Sequence, residues 1–400
     1  MKNTTKLQNP DFPVVARAGV KALSSSMIRE VANHAAGKPD VLPFWFGESN
    51  QSTNTIIGEA ALSSIKAGET FYSQNLGRPY LRAAISEYLS ELHNVKIDTD
   101  RIAVTGSGVS GLMLCTQLLV EPGDRVVAVT PIWPNLLEIP RILGAEVIRV
   151  PLSVVDNRWT LDLDKLLESL TQSTRALILN SPNNPTGWMI DERSIDVIFN
   201  HCRKHGIWII TDDVYERLVY EPGLKSAPSF LTRYEDGDRI ISANSFSKAW
   251  TMTGWRIGWL TVPPSLTSDL AKLIEFNDSC VFEPVQRAAH AAIKYGEPLI
   301  ADLRTQLASS RKLLVDALSQ IPGIEIPAAG GAMYVYFRVS GADDTLTLAK
   351  RLVDEASIGL APGGAFGAEG SGWLRWCHAV DPQILSEGIY RIKRFLSTGL

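Results

Sequence analysis

From Ile102 to Val262 the chain alternates short apolar, β-branched runs with segments of helical pattern, and this alternation restricts the available folds more than any other feature. The runs Ile102–Thr105, Arg125–Thr130, Glu146–Pro151, Arg175–Asn180, Ile207–Thr211, Arg239–Ala243 and Ile257–Val262 read as strands. Several are apolar almost throughout, the pattern of strands covered on both faces. Helices are predicted from about Ser110 to Val120, closed by Glu121-Pro122-Gly123-Asp124, and over Leu163–Leu170 and Arg193–His205. Such alternation predicts an α/β fold with a mostly parallel, seven-stranded-type sheet between helices.

Beyond Leu266 the pattern changes. A long helical stretch, Leu266–Leu318, leads into strand-like Gly331–Val339 and Leu374–His378 with two further helical stretches, which reads as a smaller α+β lobe. The expected division is a large domain over residues 47–298 and a small one built from residues 1–46 and 299–400. Two domains suit 400 residues, and 45% hydrophobic against 20% charged residues can fill a large core.

The net charge of -4 speaks against a nucleic-acid binder, which would show basic clusters. Cys115, Cys202, Cys280 and Cys377 form no CxxC pair and no zinc pattern, so each is expected to be a buried apolar filler and no metal is expected. The N-terminal MKNTTKLQNPDFPVV lacks the apolar core of a signal peptide, and no apolar run reaches membrane-spanning length. A cytoplasmic protein without membrane contact is the expectation.

Four segments carry chemistry. Ser245-Phe246-Ser247-Lys248, followed by Arg256, places an amine between a hydroxyl and a guanidinium, as a Schiff-base lysine beside a phosphate site requires. Alone, Ser-x-x-Lys also fits serine enzymes of the β-lactamase type, and a single lysine is ordinarily a solvated surface residue. Asn180-Ser181-Pro182-Asn183-Asn184-Pro185-Thr186-Gly187 follows a buried strand, where parallel sheets bind ligands; it also fits a plain turn. Asp212 ends a strand three residues before Tyr215, suited to a protonated ring nitrogen and a phenolic oxygen, or to a helix cap. Thr105-Gly106-Ser107-Gly108-Val109-Ser110-Gly111 joins a strand to a helix, a phosphate site or a tight turn.

Together, and in this order, these segments resemble the class I/II aminotransferases of the fold-type-I pyridoxal-phosphate enzymes. The resemblance covers nearly the whole chain. It extends to Phe71-Tyr72 through Gly77 with Leu81-Arg82, to Pro131-Ile132-Trp133-Pro134, to Gly330-Gly331-Ala332-Met333-Tyr334, to Ala361–Gly367 and to Leu374-Arg375.

The resemblance implies pyridoxal 5'-phosphate as cofactor, with Lys248 as its Schiff-base lysine and proton carrier. Asp212 would pair with the ring nitrogen. Tyr215 and Asn184 would bond the phenolic oxygen, and Trp133 would stack on the ring. Ser107, Gly108 and Val109 would hold the phosphate, with a register slip bringing in Gly106 or Ser110; Ser245 and Arg256 would complete that site. Tyr72 would reach the phosphate of the neighbouring subunit in a homodimer. Arg375 would bind the substrate carboxylate, with the Gly47 backbone N–H and Asn184 nearby. The implied reaction is ping-pong transfer of an amino group from an L-amino acid to a 2-oxo acid.

The chain departs from the family pattern at three places. Ser181 stands where proline is common, Gly47-Glu48-Ser49-Asn50 replaces Gly-Glu-Pro-Asp, and Val109 and Ser110 place no cation near the phosphate loop. Aspartate specificity therefore lacks support in the sequence. Phe12, Phe44, Trp45 and Phe46 equally fit an apolar substrate site or simple core. The same cofactor residues would serve a lyase or synthase. A non-catalytic pyridoxal-phosphate regulator would want an appended DNA-binding segment, for which there is no room.

Overall fold

The computed structural model describes residues 15–397. Phe12 and most of the N-terminal segment judged for a signal peptide lie outside them. One sheet contains seven strands: β1 Ile102–Thr105, β2 Arg125–Thr130, β3 Glu146–Pro151, β4 Thr174–Asn180, β5 Trp208–Asp212, β6 Ile240–Ser245 and β7 Gly258–Thr261. Their spatial order is β1-β7-β6-β5-β4-β2-β3. Neighbours run parallel except around β7, which is antiparallel to both β1 and β6.

Successive residues of a strand feed opposite faces. Val127 and Val129 of β2, Leu177 and Leu179 of β4 and Ile209 of β5 pack into one core. Val126, Ala128, Ala176, Ile178 and Ile210 pack into the other. Burial on both faces explains why these runs lack polar alternation.

A second sheet is antiparallel throughout: β8 Ile324–Glu325, β9 Tyr334–Val339, β10 Ala361–Pro362 and β11 Trp373–Cys377, in the order β8-β9-β11-β10. Leu42–Pro43 pairs with Ile358–Gly359, and Phe44 packs on Trp376 with ring centroids 4.8 Å apart.

The structure refines two expectations. The helical stretch Leu266–Leu318 is three helices, Thr267–Asn277, Glu283–Tyr295 and Glu297–Leu318. Pro284 and Pro298 sit in the first turns of the second and third, where a missing N–H loses no helical bond. Cys115, Cys202 and Cys377 are buried, but Cys280 is only partly so; its sulfur accepts a hydrogen bond from the Ser73 N–H at 3.4 Å. The helices Thr55–Lys66 and Pro79–His93 had no sequence assignment.

Strand register assembles the site. Gly258 stands opposite both Thr105 and Ser245, and Asp212 opposite both Asn180 and Ala243. The carboxyl ends of β1, β4, β5 and β6 and the start of β7 therefore meet at one edge. Gly258 is needed there. A Cβ on it would lie 2.5 Å from the Asn244 carbonyl oxygen and 2.7 Å from the Gly108 nitrogen.

Candidate active site

One pocket at this edge is lined by Lys248, Asp212, Tyr215, Asn184, Trp133, Gly108, Val109, Ser245, Arg256, Arg375 and Gly47. Eleven of the thirteen residues singled out from the sequence thus converge. Ser107 is buried just behind the wall, and Tyr72 stands outside the pocket, 88% exposed.

Asp212 ends β5 and is 2% exposed. Its carboxylate accepts only a long bond, 3.4 Å, from the Val214 N–H, and no side-chain cation is bonded to it. Burial, and then the charge of Asp213, push its carboxyl up to about 7. Asn180 anchors this strand end by donating to the Asp212 carbonyl at 2.8 Å and accepting from the Asn184 N–H at 2.7 Å.

Lys248 follows β6. Its Nζ donates to the Gly47 carbonyl and lies 5.7 Å from the centre of the Tyr215 ring. Burial lowers its pKa to about 8; Arg375 adds to that, while Cys377, Glu48 and Asp212 oppose it. The Gly47 carbonyl thus bonds the lysine, a contact in addition to the backbone N–H expected near the substrate carboxylate.

Arg375 lies on β11, 2% exposed. Its Nη1 donates to Asn184 Oδ1 at 2.9 Å, Nη2 donates to the Trp45 carbonyl, and buried Nε has no partner. Its guanidinium sits 4.4 Å from the Tyr334 ring centre and 5.0 Å from that of Phe366. Among the described residues no carboxylate forms an ion pair with it. A buried guanidinium without an acid suits a carboxylate ligand.

Ser107 caps the Gly108–Leu119 helix, its Oγ accepting from the Ser110 N–H at 3.0 Å. The first-turn N–H groups of Gly108 and Val109 have no acceptor within the helix. Ser245 Oγ donates to Ser247 Oγ at 2.9 Å, and Arg256 Nη1 approaches the same Ser247 oxygen at 3.4 Å. Helix terminus, hydroxyls and guanidinium form an anion cradle.

Sequence reasoning assigned no role to Ser247 or Tyr334, though both stood inside quoted motifs. Tyr334 joins its hydroxyl to that of Tyr215, with the rings edge-on at 5.6 Å. A Cβ on Gly47 would collide with the Tyr334 hydroxyl, which accounts for glycine there. Tyr334 and Tyr336 share a face of β9, a signal that alternation could have supplied.

A seven-stranded mixed sheet with a buried lysine, an acid and an anion cradle at its strand ends defines an α/β enzyme that handles an anionic ligand. The chain belongs to the aminotransferase class I and II family, whose model matches residues 41–392. It is 31% identical to an aspartate aminotransferase of Pyrococcus horikoshii over 94% of this chain and 96% of that protein. The solved aspartate aminotransferase of Thermotoga maritima superposes with a TM-score of 0.88 at 27% identity, covering 96% of this chain and 100% of that one. An aromatic aminotransferase from Pyrococcus horikoshii superposes with a TM-score of 0.84 at 28% identity over 92% and 99%. The protein is an aminotransferase, and its fold is the α/β architecture with a large seven-stranded sheet expected from its sequence. No helix among the described residues is long and apolar enough to cross a membrane.

Proposed function

We propose that amino-group transfer in this protein uses pyridoxal 5'-phosphate held in the Lys248 pocket. The observation that carries this is the buried Asp212 carboxyl, which has no cation bonded to it and lines the same pocket as the anion cradle and Lys248. Bound there, the cofactor supplies a carbonyl that takes up the amino nitrogen and a ring that draws electrons from the substrate Cα.

Asp212 would hold the ring nitrogen in its protonated form, and that positive charge would return the carboxyl to its ionised state. Tyr215 and Asn184 would bond the phenolic oxygen, and Trp133 would pack on the ring face. Ser107, Gly108, Val109, Ser245 and Arg256 would hold the phosphate; Ser247, from its contacts, joins them. Arg375 would fix the substrate carboxylate. Lys248 Nζ would move the proton that leaves Cα. Burial, which lowers its pKa to about 8, favours the neutral amine that such a step needs.

The proposed domains are residues 47–298, and residues 1–46 with 299–400. The separate β8–β11 sheet and the pairing of Leu42–Pro43 with Ile358–Gly359 support that division. The proposed assembly is a homodimer with Tyr72 reaching the neighbouring phosphate; its exposure supports a partner there. The four free cysteines support a reducing, cytoplasmic setting.

The test is absorption spectroscopy of the purified chain before and after loading with pyridoxal phosphate, and again after adding amino acids. A visible band should form and change as 2-oxo acid is released. Lys248→Ala should keep the fold by circular dichroism and lose about a thousandfold or more in turnover. Near wild-type transfer by that variant contradicts the assignment.

A further inference from the structure

Two contacts relate the proposed carboxylate site to the lysine amine. Arg375, the carboxylate site, donates to the Trp45 carbonyl, and Lys248 donates to the Gly47 carbonyl. The segment Trp45-Phe46-Gly47 therefore runs from the carboxylate site to the amine. A substrate with its carboxylate at Arg375 and its Cα beside Lys248 has the rest of the pocket wall for its side chain, and Ile28, Trp45 and Phe46 belong to that wall.

The groups available there are apolar. Phe46 and Trp45 both line the pocket, with ring centroids 6.1 Å apart and nearly perpendicular. Ile28, from the Met27–His34 helix, lines it too and is 8% exposed. By contrast, Phe44 is fully buried against Trp376 and belongs to the core. Three cations line the pocket, Lys248, Arg256 and Arg375, and each already has a task. Arg29 lies 4.8 Å over the Phe46 ring but does not line the pocket. Thr253, on the wall, donates to Glu48 Oε2 at 3.2 Å, which brings a negative charge to the mouth.

We infer that the preferred substrate carries an apolar side chain, branched-aliphatic or aromatic, against Phe46, Trp45 and Ile28, and not a second carboxylate. This rests on the aminotransferase reading of the Lys248 pocket and adds the class of amino acid. A distal carboxylate would be desolvated among three apolar side chains and near Glu48, and the cation beside them, Arg29, stacks on Phe46 outside the pocket lining. An apolar side chain gains from the same burial. The preference differs from the one in the name of the Pyrococcus horikoshii aspartate aminotransferase.

The test uses the full chain loaded with pyridoxal phosphate. Half-reaction rates are compared for L-leucine, L-methionine, L-phenylalanine, L-alanine, L-aspartate and L-glutamate. Separately, calorimetry compares binding of unreactive 4-methylpentanoate and 3-phenylpropanoate with that of succinate. At least one apolar donor should react tenfold faster than either acidic one, and its analogue should bind tenfold tighter than succinate. Phe46→Ala and Ile28→Ala should lower the rate with the best apolar donor more than the rate with alanine. A preference for aspartate or glutamate overturns the inference, whether Arg29→Gln abolishes that preference or leaves it intact. If no amino acid reacts, the aminotransferase reading of this pocket fails, and calorimetry still decides the side-chain class: succinate binding as tightly as the apolar acids overturns it.

Discussion

Asp212 illustrates how a residue can be read from sequence while its energetics belong to the fold. Its place at a strand end, three residues before Tyr215, marked it as an acid for a ring nitrogen. Only the packed structure reveals that burial and Asp213 lift it to about 7. The unfolded carboxyl titrates near about 4. Between these values the folded chain binds more protons than the unfolded one, so this group works increasingly against folding as pH rises from about 4 to about 7. Above that window its penalty is constant. The cofactor-free Asp212→Asn variant should therefore gain stability relative to wild type across that window, measured by denaturant unfolding at several pH values. A difference that does not change with pH contradicts the assignment. Lys248 is a base with a lowered folded pKa, so its effect falls in a separate window, from about 8 upward to its unfolded value.

At the scale of elements, the seven strands of the large sheet were legible to within two residues, most of them because a run buried on both faces leaves a continuous apolar signature; in the second sheet Ile324–Glu325 and Ala361–Pro362 are too short to leave one. The direction of β7 was not. Direction depends on the connection, and the segment from β6 to β7 carries Lys248, Arg256 and a single short helical turn, Thr253–Trp255. A parallel return needs a longer crossover that packs on the sheet. The proposed phosphate site depends on a capped helix end. Ser107→Ala removes the acceptor for the Ser110 N–H and should cost about 1 kcal/mol of stability. It should also weaken retention of pyridoxal phosphate, measured by cofactor release on dialysis; unchanged retention would place the phosphate elsewhere.

The whole molecule presents an apolar surface around Tyr72. Phe71 and Tyr72 are 82% and 88% exposed, and Ser73 Oγ donates to the Val281 carbonyl at 3.2 Å, next to exposed Phe282. The Thr55–Lys66 helix, packed on the Glu283–Tyr295 helix, adds exposed Ile56, Leu62 and Ile65. Large apolar side chains exposed on neighbouring elements are what an interface would cover. Sedimentation equilibrium at assay concentration should return twice the chain mass. Tyr72→Phe should leave that mass unchanged and weaken retention of pyridoxal phosphate. A fully active monomer argues against the dimer, and unchanged retention argues against a Tyr72–phosphate contact.

The sequence alone determined the α/β class, most strand positions and the residue types the chemistry needs. Periodicity, turn residues and motifs are local; the segments of Lys248, Asp212 and Asn184 gained their meaning from their joint order, and Arg375 from the family resemblance. Tertiary structure decided what those residues meet. The Tyr215–Tyr334 hydroxyl pair, the Gly47 carbonyl at Lys248 and the apolar wall of Ile28, Trp45 and Phe46 join segments far apart in the chain. Such contacts depend on how the second sheet and the N-terminal helix close over the strand ends, and that packing leaves no mark in any short stretch of sequence.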